Sequence, residues 1–103
     1  NLQSSKGWTA LMHAANQGHE RVVELLLKHG AEISLQNGFG ENALMLSADN
    51  GHERVVELLL KHGAEIDLQN SHGATALMGA AGNGHERVVD LLLQRGAEID
   101  LQE

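Results

Sequence analysis

The sequence predicts an all-α solenoid: helix–turn–helix layers stacked in a row and joined by projecting turns. Three observations predict it. A 33-residue unit recurs three times, anchored at Gly7/Gly40/Gly73, Leu11/Leu44/Leu77, Gly18/Gly51/Gly84 and Gly30/Gly63/Gly96, and a fixed period of this size marks a stacked array. The run GHERVVELLLKHGAEI stands at 18–33 and again, letter for letter, at 51–66; the third copy, 84–99, differs only at Asp90, Gln94 and Arg95. Trp8 and Phe39 are the only aromatic side chains in 103 residues, too few for one large nucleus but compatible with thin layers closed by Ala and Leu.

The middle unit shows how one layer is built. Asn42 caps a short helix over 43–50, as Thr9 and Thr75 do in the flanking units, because a side-chain oxygen there accepts from an otherwise orphaned N–H. Leu44, Ser47 and Ala48 share a face at i, i+3, i+4. The matching sets are Leu11/Ala14/Ala15 and Leu77/Ala80/Ala81, small enough for a neighbouring helix to approach closely. Gly51 stops the helix in the left-handed conformation that glycine accepts without strain.

His52-Glu53 opens a second helix reaching about residue 62, with Val55, Val56, Leu58, Leu59 and Leu60 as a broad apolar surface. Glu57 and Lys61 stand at i, i+4 in the favourable order. Glu53 and Lys61 complement the two ends of the helix dipole, and Gly63 ends it. Residues 64–73 then read as extended chain and turn: Ile66 and Leu68 alternate with Asp67 and Gln69, and Asn70-Ser71-His72-Gly73 reverses the chain. No layer stands alone, since each helix pair exposes apolar residues that its neighbours must cover.

The expected organisation is one domain over 1–103, with repeats at 7–39, 40–72 and 73–103. Residues 1–6 align with 67–72 and read as the end of a preceding turn. Neither outer layer carries an evident polar cap, so the ends are expected either to continue a longer array or to stack on other copies, an end-to-end self-association.

These residues resemble ankyrin repeats over essentially the whole chain, in three in-register copies. The resemblance implies an L-shaped repeat of two antiparallel helices with a β-turn at about a right angle, an ankyrin-repeat solenoid whose turns and first helices line a concave groove that binds other proteins. The chain departs from the family's Thr-Pro-Leu-His box, reading Thr9-Ala10-Leu11-Met12, Asn42-Ala43-Leu44-Met45 and Thr75-Ala76-Leu77-Met78. The first-turn proline is lost, and methionine replaces the histidine. The family's turn Asp is Ser4, Asn37 and Asn70, which weakens the turn's charge pattern. Its hydroxylatable Asn is replaced by Ser34, Asp67 and Asp100, which makes that modification unexpected.

Comparison among the three copies points to a binding surface. The second helices are nearly invariant, as packing requires; the differences gather in the turns and first helices. Trp8 and Phe39 occur in one unit each and are candidate anchors, since aromatics are enriched at binding hot spots; the alternative for both is local packing of a turn. Leu46 is apolar where its counterparts are His13 and Gly79. Asn16, Asp49 and Gly82 form another varying set, and Lys6, Glu41, Asp49 and His72 supply a mixed polar rim. Gly79 and Gly82 weaken the third short helix by about 1 kcal/mol each; they either make room for a bulky group or record drift between copies, the plainer reading. A binding site would present Trp8, Phe39 and Leu46 on one connected exposed patch.

The expected partner is a protein or peptide. The formal net charge of −7 weighs against nucleic acid, whose binding needs Lys and Arg to displace counterions. The periodic Glu side chains either solvate a helix face or steer a basic partner. No apolar run approaches the ~18 residues of a membrane span, so no membrane insertion is expected. The absence of cysteine and of a leader segment points to a cytoplasmic or nuclear setting.

No enzyme, metal or cofactor role is expected. His19, His52 and His85 recur once per layer, and helices packed about 10 Å apart cannot bring imidazoles to the ~2 Å that zinc requires. Local hydrogen bonding at the turn between the helices is expected instead. There is no HExxH, no Walker loop and no GxGxxG. The alternative to a binding module is a structural or engineered consensus-like scaffold without a dedicated partner.

Overall fold

The computed structural model describes residues 7–102. Six helices follow one another: α1 (Ala10–Gln17), α2 (Glu20–Lys28), α3 (Ala43–Asp49), α4 (Glu53–Lys61), α5 (Ala76–Gly82) and α6 (Glu86–Gln94). They pair as α1/α2, α3/α4 and α5/α6, and the short link in each pair turns the second helix back along the first. The pairs stack in chain order, with α3 between α1 and α5 and α4 between α2 and α6. The result is a slab of 35 × 25 × 20 Å. The predicted all-α solenoid is what forms, with the helix ends one residue inside the expected bounds.

Local residue choices set both ends of each helix. Thr9, Asn42 and Thr75 cap the first helices: Thr9 Oγ1, Asn42 Oδ1 and Thr75 Oγ1 accept from the N–H of Met12, Met45 and Met78 at 3.2, 2.9 and 3.3 Å. At the C-terminal end of α3, the N–H of Gly51 bonds the Ala48 carbonyl and the N–H of His52 bonds the Ser47 carbonyl. This is a Schellman closure, and it needs the positive φ of 74° that Gly51 adopts. All six helices end on the same paired bonds around a glycine. The repeat glycines are therefore helix stops first, and they consume carbonyls that the helix cannot satisfy itself.

The core runs through the stack as consecutive interfaces. Ala14 and Ala15 of α1, Ala43 and Ala48 of α3 and Ala76 and Ala80 of α5 are buried, so the first helices close on one another with no side chain larger than a methyl group at these positions. Val23, Val56, Leu59, Val88 and Leu92 fill the space towards the second helices. Leu59 and Leu92 are both fully buried, while Leu26, at the same position in the first layer, is only partly covered. This leucine therefore faces the layer before it, and Leu92 of the last layer is as fully enclosed as Leu59 of the middle one. The Glu57 carboxylate does not pair with Lys61 as expected; it reaches Arg95 in the next layer at 3.4 Å. Both groups are exposed, and the pair is a small contribution to stability.

Candidate interaction surface

The projecting turns are built around two asparagines. Asn37 Oδ1 accepts from the N–H of Phe39 and Glu41 at 2.9 and 3.0 Å, and Asn70 Oδ1 accepts from His72 and Ala74 in the same way. The backbone of each turn closes as well, Asn37 N–H on the Glu41 carbonyl and Asn70 N–H on the Ala74 carbonyl. Asparagine thus makes the side-chain bonds of the turn without the charge of an aspartate, and Asn37 Nδ2 also donates to Glu41 Oε1 at 3.1 Å. Successive turns touch: Ser71 N–H donates to the Phe39 carbonyl at 3.0 Å. Gly40 permits that approach, because a Cβ there would lie 2.7 Å from Ser71 N.

On this framework Phe39 is 46% exposed in its turn, and His72 is exposed on the next. Trp8 is partly buried, and its indole lies against the exposed His13 imidazole with centroids 4.9 Å apart and planes tilted by 35°. Glu41 and Asp49 are close enough to repel one another. The structure therefore joins Trp8 with His13, and the turns of Phe39 and His72. Lys6 lies outside the described residues.

Leu46 departs from expectation. It is only 4% exposed, because it sits within α3, the helix covered on both flanks. The proposed patch of Trp8, Phe39 and Leu46 is therefore not one exposed surface, and Leu46 is a packing residue. The counterparts of Leu46 reflect their layers: His13 reaches the solvent and Trp8, and Gly79 meets Asp49. A Cβ at Gly79 would collide with Asp49 Oδ1, whereas one at Gly82 would meet open space. Gly79 thus leaves room for the Asp49 carboxylate of the neighbouring layer.

Two varying positions, Asn16 and Asp49, also serve the stack. The Asn16 carbonyl accepts from His52 Nε2 at 2.9 Å and the Asp49 carbonyl from His85 Nε2 at 2.9 Å. Asn50 Nδ2 donates to Asn16 Oδ1 at 2.8 Å, and Asn83 Nδ2 to the Asp49 carbonyl at 3.0 Å. Local bonding is expected of the recurrent histidines; His52 and His85 bond instead to the first helix of the preceding layer. Each ring lies over a glycine, since a Cβ on Gly18 or Gly51 would approach Nδ1 of His52 or His85 to 2.5 or 2.6 Å. The signal is in the sequence as a Gly–His spacing one residue longer than the period, in Gly18/His52 and Gly51/His85.

Burial raises the Asp49 carboxyl from 3.8 to about 6; repulsion from Glu41 adds to the rise and His85 opposes it. Among the described residues no group of three or more His, Asp or Glu could hold a metal ion. No described helix is long and apolar enough to cross a membrane.

Stacked helix pairs with projecting, hydrogen-bonded turns define a repeat solenoid. The family comparison gives its kind: the ankyrin-repeat description matches residues 6–38 as one repeat and residues 30–103 as a multi-repeat array. The chain belongs to the ankyrin-repeat family. Ankyrin repeats are typically non-catalytic and generally mediate protein–protein interaction.

Among individual proteins, the NAD-capped RNA hydrolases NUDT12 of Homo sapiens, Pongo abelii and Macaca fascicularis are each 49% identical to this chain over 37 residues. That stretch is 36% of this chain and 8% of each hydrolase. The likeness is thus about one repeat long.

Proposed function

We propose that this chain is a protein-binding module that holds a peptide or a folded surface along its turns and first helices. The observation that carries the reading is Phe39: a large apolar side chain, 46% exposed, held in an asparagine-stapled turn and present in one repeat only. Unlike Leu46, which also occurs in one repeat only but is 4% exposed, Phe39 presents its ring to the solvent. Trp8 with His13 supplies a second anchor, and Glu41, Asp49 and His72 supply polar rim groups that favour a partner carrying basic side chains.

A second reading, a scaffold with no dedicated partner, draws on the burial of Leu46 and the contact of Trp8 with His13, both of which serve this chain's own packing. Affinity capture with the wild type and with the Trp8→Ala/Phe39→Ala double variant separates the two. Loss of a specific partner from the folded double variant supports the binding surface. Equal recovery overturns the anchor assignment.

A further inference from the structure

We propose that the Asn37-Gly38 pair, in the turn that carries Phe39, is a self-modification site: the Gly38 nitrogen closes on the Asn37 side chain to give a succinimide, which opens to aspartate or isoaspartate. The pair suits this chemistry because glycine has no side chain to block the approach of its nitrogen. Three Asn-Gly pairs occur, at 37–38, 50–51 and 83–84, and the structure treats them differently. The N–H of Gly51 donates to the Ala48 carbonyl at 3.1 Å, and that of Gly84 to the Ala81 carbonyl at 3.2 Å. Both nitrogens are held by helix closures and cannot turn towards their asparagines without breaking them. Gly38 is exposed, and its N–H makes no hydrogen bond among the described residues.

The Asn37 side chain is held ready for the attack. Its Oδ1 accepts from the N–H of Phe39 and Glu41 at 2.9 and 3.0 Å, and its Nδ2 donates to Glu41 Oε1 at 3.1 Å. In the closure the Gly38 nitrogen gives its proton to solvent base and bonds to Cγ, and an electron pair of the carbonyl moves onto Oδ1. Two N–H donors face the oxygen on which that charge develops, as in an oxyanion hole. The electron pair then returns, the bond from Cγ to Nδ2 breaks, and the nitrogen leaves as ammonia with a proton taken from water. Water adds to one or the other carbonyl of the ring, which leaves the main chain running through an aspartate or through the side chain of an isoaspartate. Asn37 is only 7% exposed, but the attacking nitrogen belongs to the next residue, so no outside nucleophile has to reach Cγ.

Asn70 supplies a comparison within the same molecule. Its Oδ1 accepts from the N–H of His72 and Ala74 at 2.9 and 3.0 Å, so the oxygen has the same two donors. The residue after it is Ser71, which carries a side chain and whose N–H is held by the Phe39 carbonyl at 3.0 Å. Asn37 is therefore the asparagine that combines the two donors with a free glycine nitrogen. Its conversion would change the turn. An aspartate would set a carboxylate against Glu41 in place of the amide that now donates to it, and an isoaspartate would lengthen the main chain by a methylene group between Gln36 and Gly38. Either product loosens the hold on Phe39. The effect on binding rests on the partner surface proposed above, whereas the modification does not.

Peptide mapping by mass spectrometry, after the folded chain is incubated in mildly alkaline heavy-oxygen water, tests this. Position 37 should gain aspartate and isoaspartate that carry the heavy oxygen, at least about tenfold faster than positions 50, 70 and 83. In urea the order should collapse: 37, 50 and 83 should convert at similar rates, with 70 behind them, because sequence alone then decides. Conversion at 37 should be at least as fast in the folded chain as in urea, and Gly38→Ala, which crowds the nitrogen, should slow it. Circular dichroism checks that the incubated chain stays folded. Phe39 is the only phenylalanine, so its ring signals in proton NMR report on the turn directly, and a second set should grow in step with the conversion. Conversion at 37 no faster than at 50 or 83 in the folded chain, slower than in urea, or indifferent to Gly38→Ala would overturn the modification site. Ring signals that stay single after conversion would overturn its effect on Phe39.

Discussion

Asp49 shows how much one side chain can be asked to do. Its backbone carbonyl holds His85 and Asn83, and its carboxyl occupies the space above Gly79. Burial, then Glu41, raise the carboxyl to about 6. A folded pKa above the unfolded one means that the folded chain holds the proton more tightly. The stabilisation is then fully present below about pH 4 and is lost as the pH rises through about 6. The full shift would correspond to ~3 kcal/mol, but the carboxyl is only partly buried and water screens it, so ~1 kcal/mol is the expected size. Asp49→Asn should therefore stabilise the chain by ~1 kcal/mol near neutral pH and by little near pH 4, as measured by urea unfolding at both. The two helix glycines make a second test. Gly82→Ala should stabilise by ~0.5–1 kcal/mol from helix propensity alone. Gly79→Ala should give less, because its methyl group displaces Asp49, and should recover its gain in an Asp49→Ala background. Thermal melts of the four variants in a double-mutant cycle would measure that coupling.

At the scale of the element, the same leucine meets two environments in three layers: Leu59 and Leu92 are fully buried, and Leu26 is only partly covered. Leu59→Ala should cost ~2–5 kcal/mol, because that side chain is fully enclosed. Leu26→Ala should cost clearly less, since that side chain is only partly covered; denaturant midpoints of the two variants check the order. The elements themselves were legible in the sequence, and for a physical reason. Caps, glycine stops and apolar periodicity are local choices, and Thr9, Asn42, Thr75 and Gly51 act within a few residues of where they stand. The contacts between layers were less legible. His52 and His85 bond to backbone carbonyls, and a carbonyl carries no residue type to read. Leu46 looked like a free position because its counterparts are His13 and Gly79, yet its burial follows from α3 having a layer on both sides. Comparison among copies reveals which positions vary, but a position also varies when its layer has different neighbours. Of the candidate site, Phe39 and Trp8 were legible as non-repeating aromatics, whereas the contact between Trp8 and His13 depends on geometry that a period cannot supply.

Across the whole molecule the stack is quasi-one-dimensional: each layer contacts only those beside it, and stability is the sum of layer and interface contributions. The layers are not equal in this sum. In α3, Ala43 through Ala48 are buried without interruption. In α1 the buried set is Leu11, Met12, Ala14 and Ala15, and in α5 it is Ala76, Leu77 and Ala80. α5 carries the further burden of Gly79 and Gly82 within its own length. The His52 bond ties the middle layer to the first and the His85 bond ties it to the last, so α3 cannot open without breaking both interfaces. Local opening should therefore begin at the ends, with α5/α6 looser than α3/α4. Amide hydrogen exchange under dilute, monomeric conditions should show the slowest exchange in α3 and α4, and faster exchange in α5. His85→Ala should accelerate exchange in α5 and α6 while leaving α1 little changed, because the lost bond joins the last interface alone. Equal acceleration in all six helices would show that the array opens as a single unit and that its layers have no separate stabilities. Protection confined to α5 and α6 would contradict the burial pattern from which the order is derived.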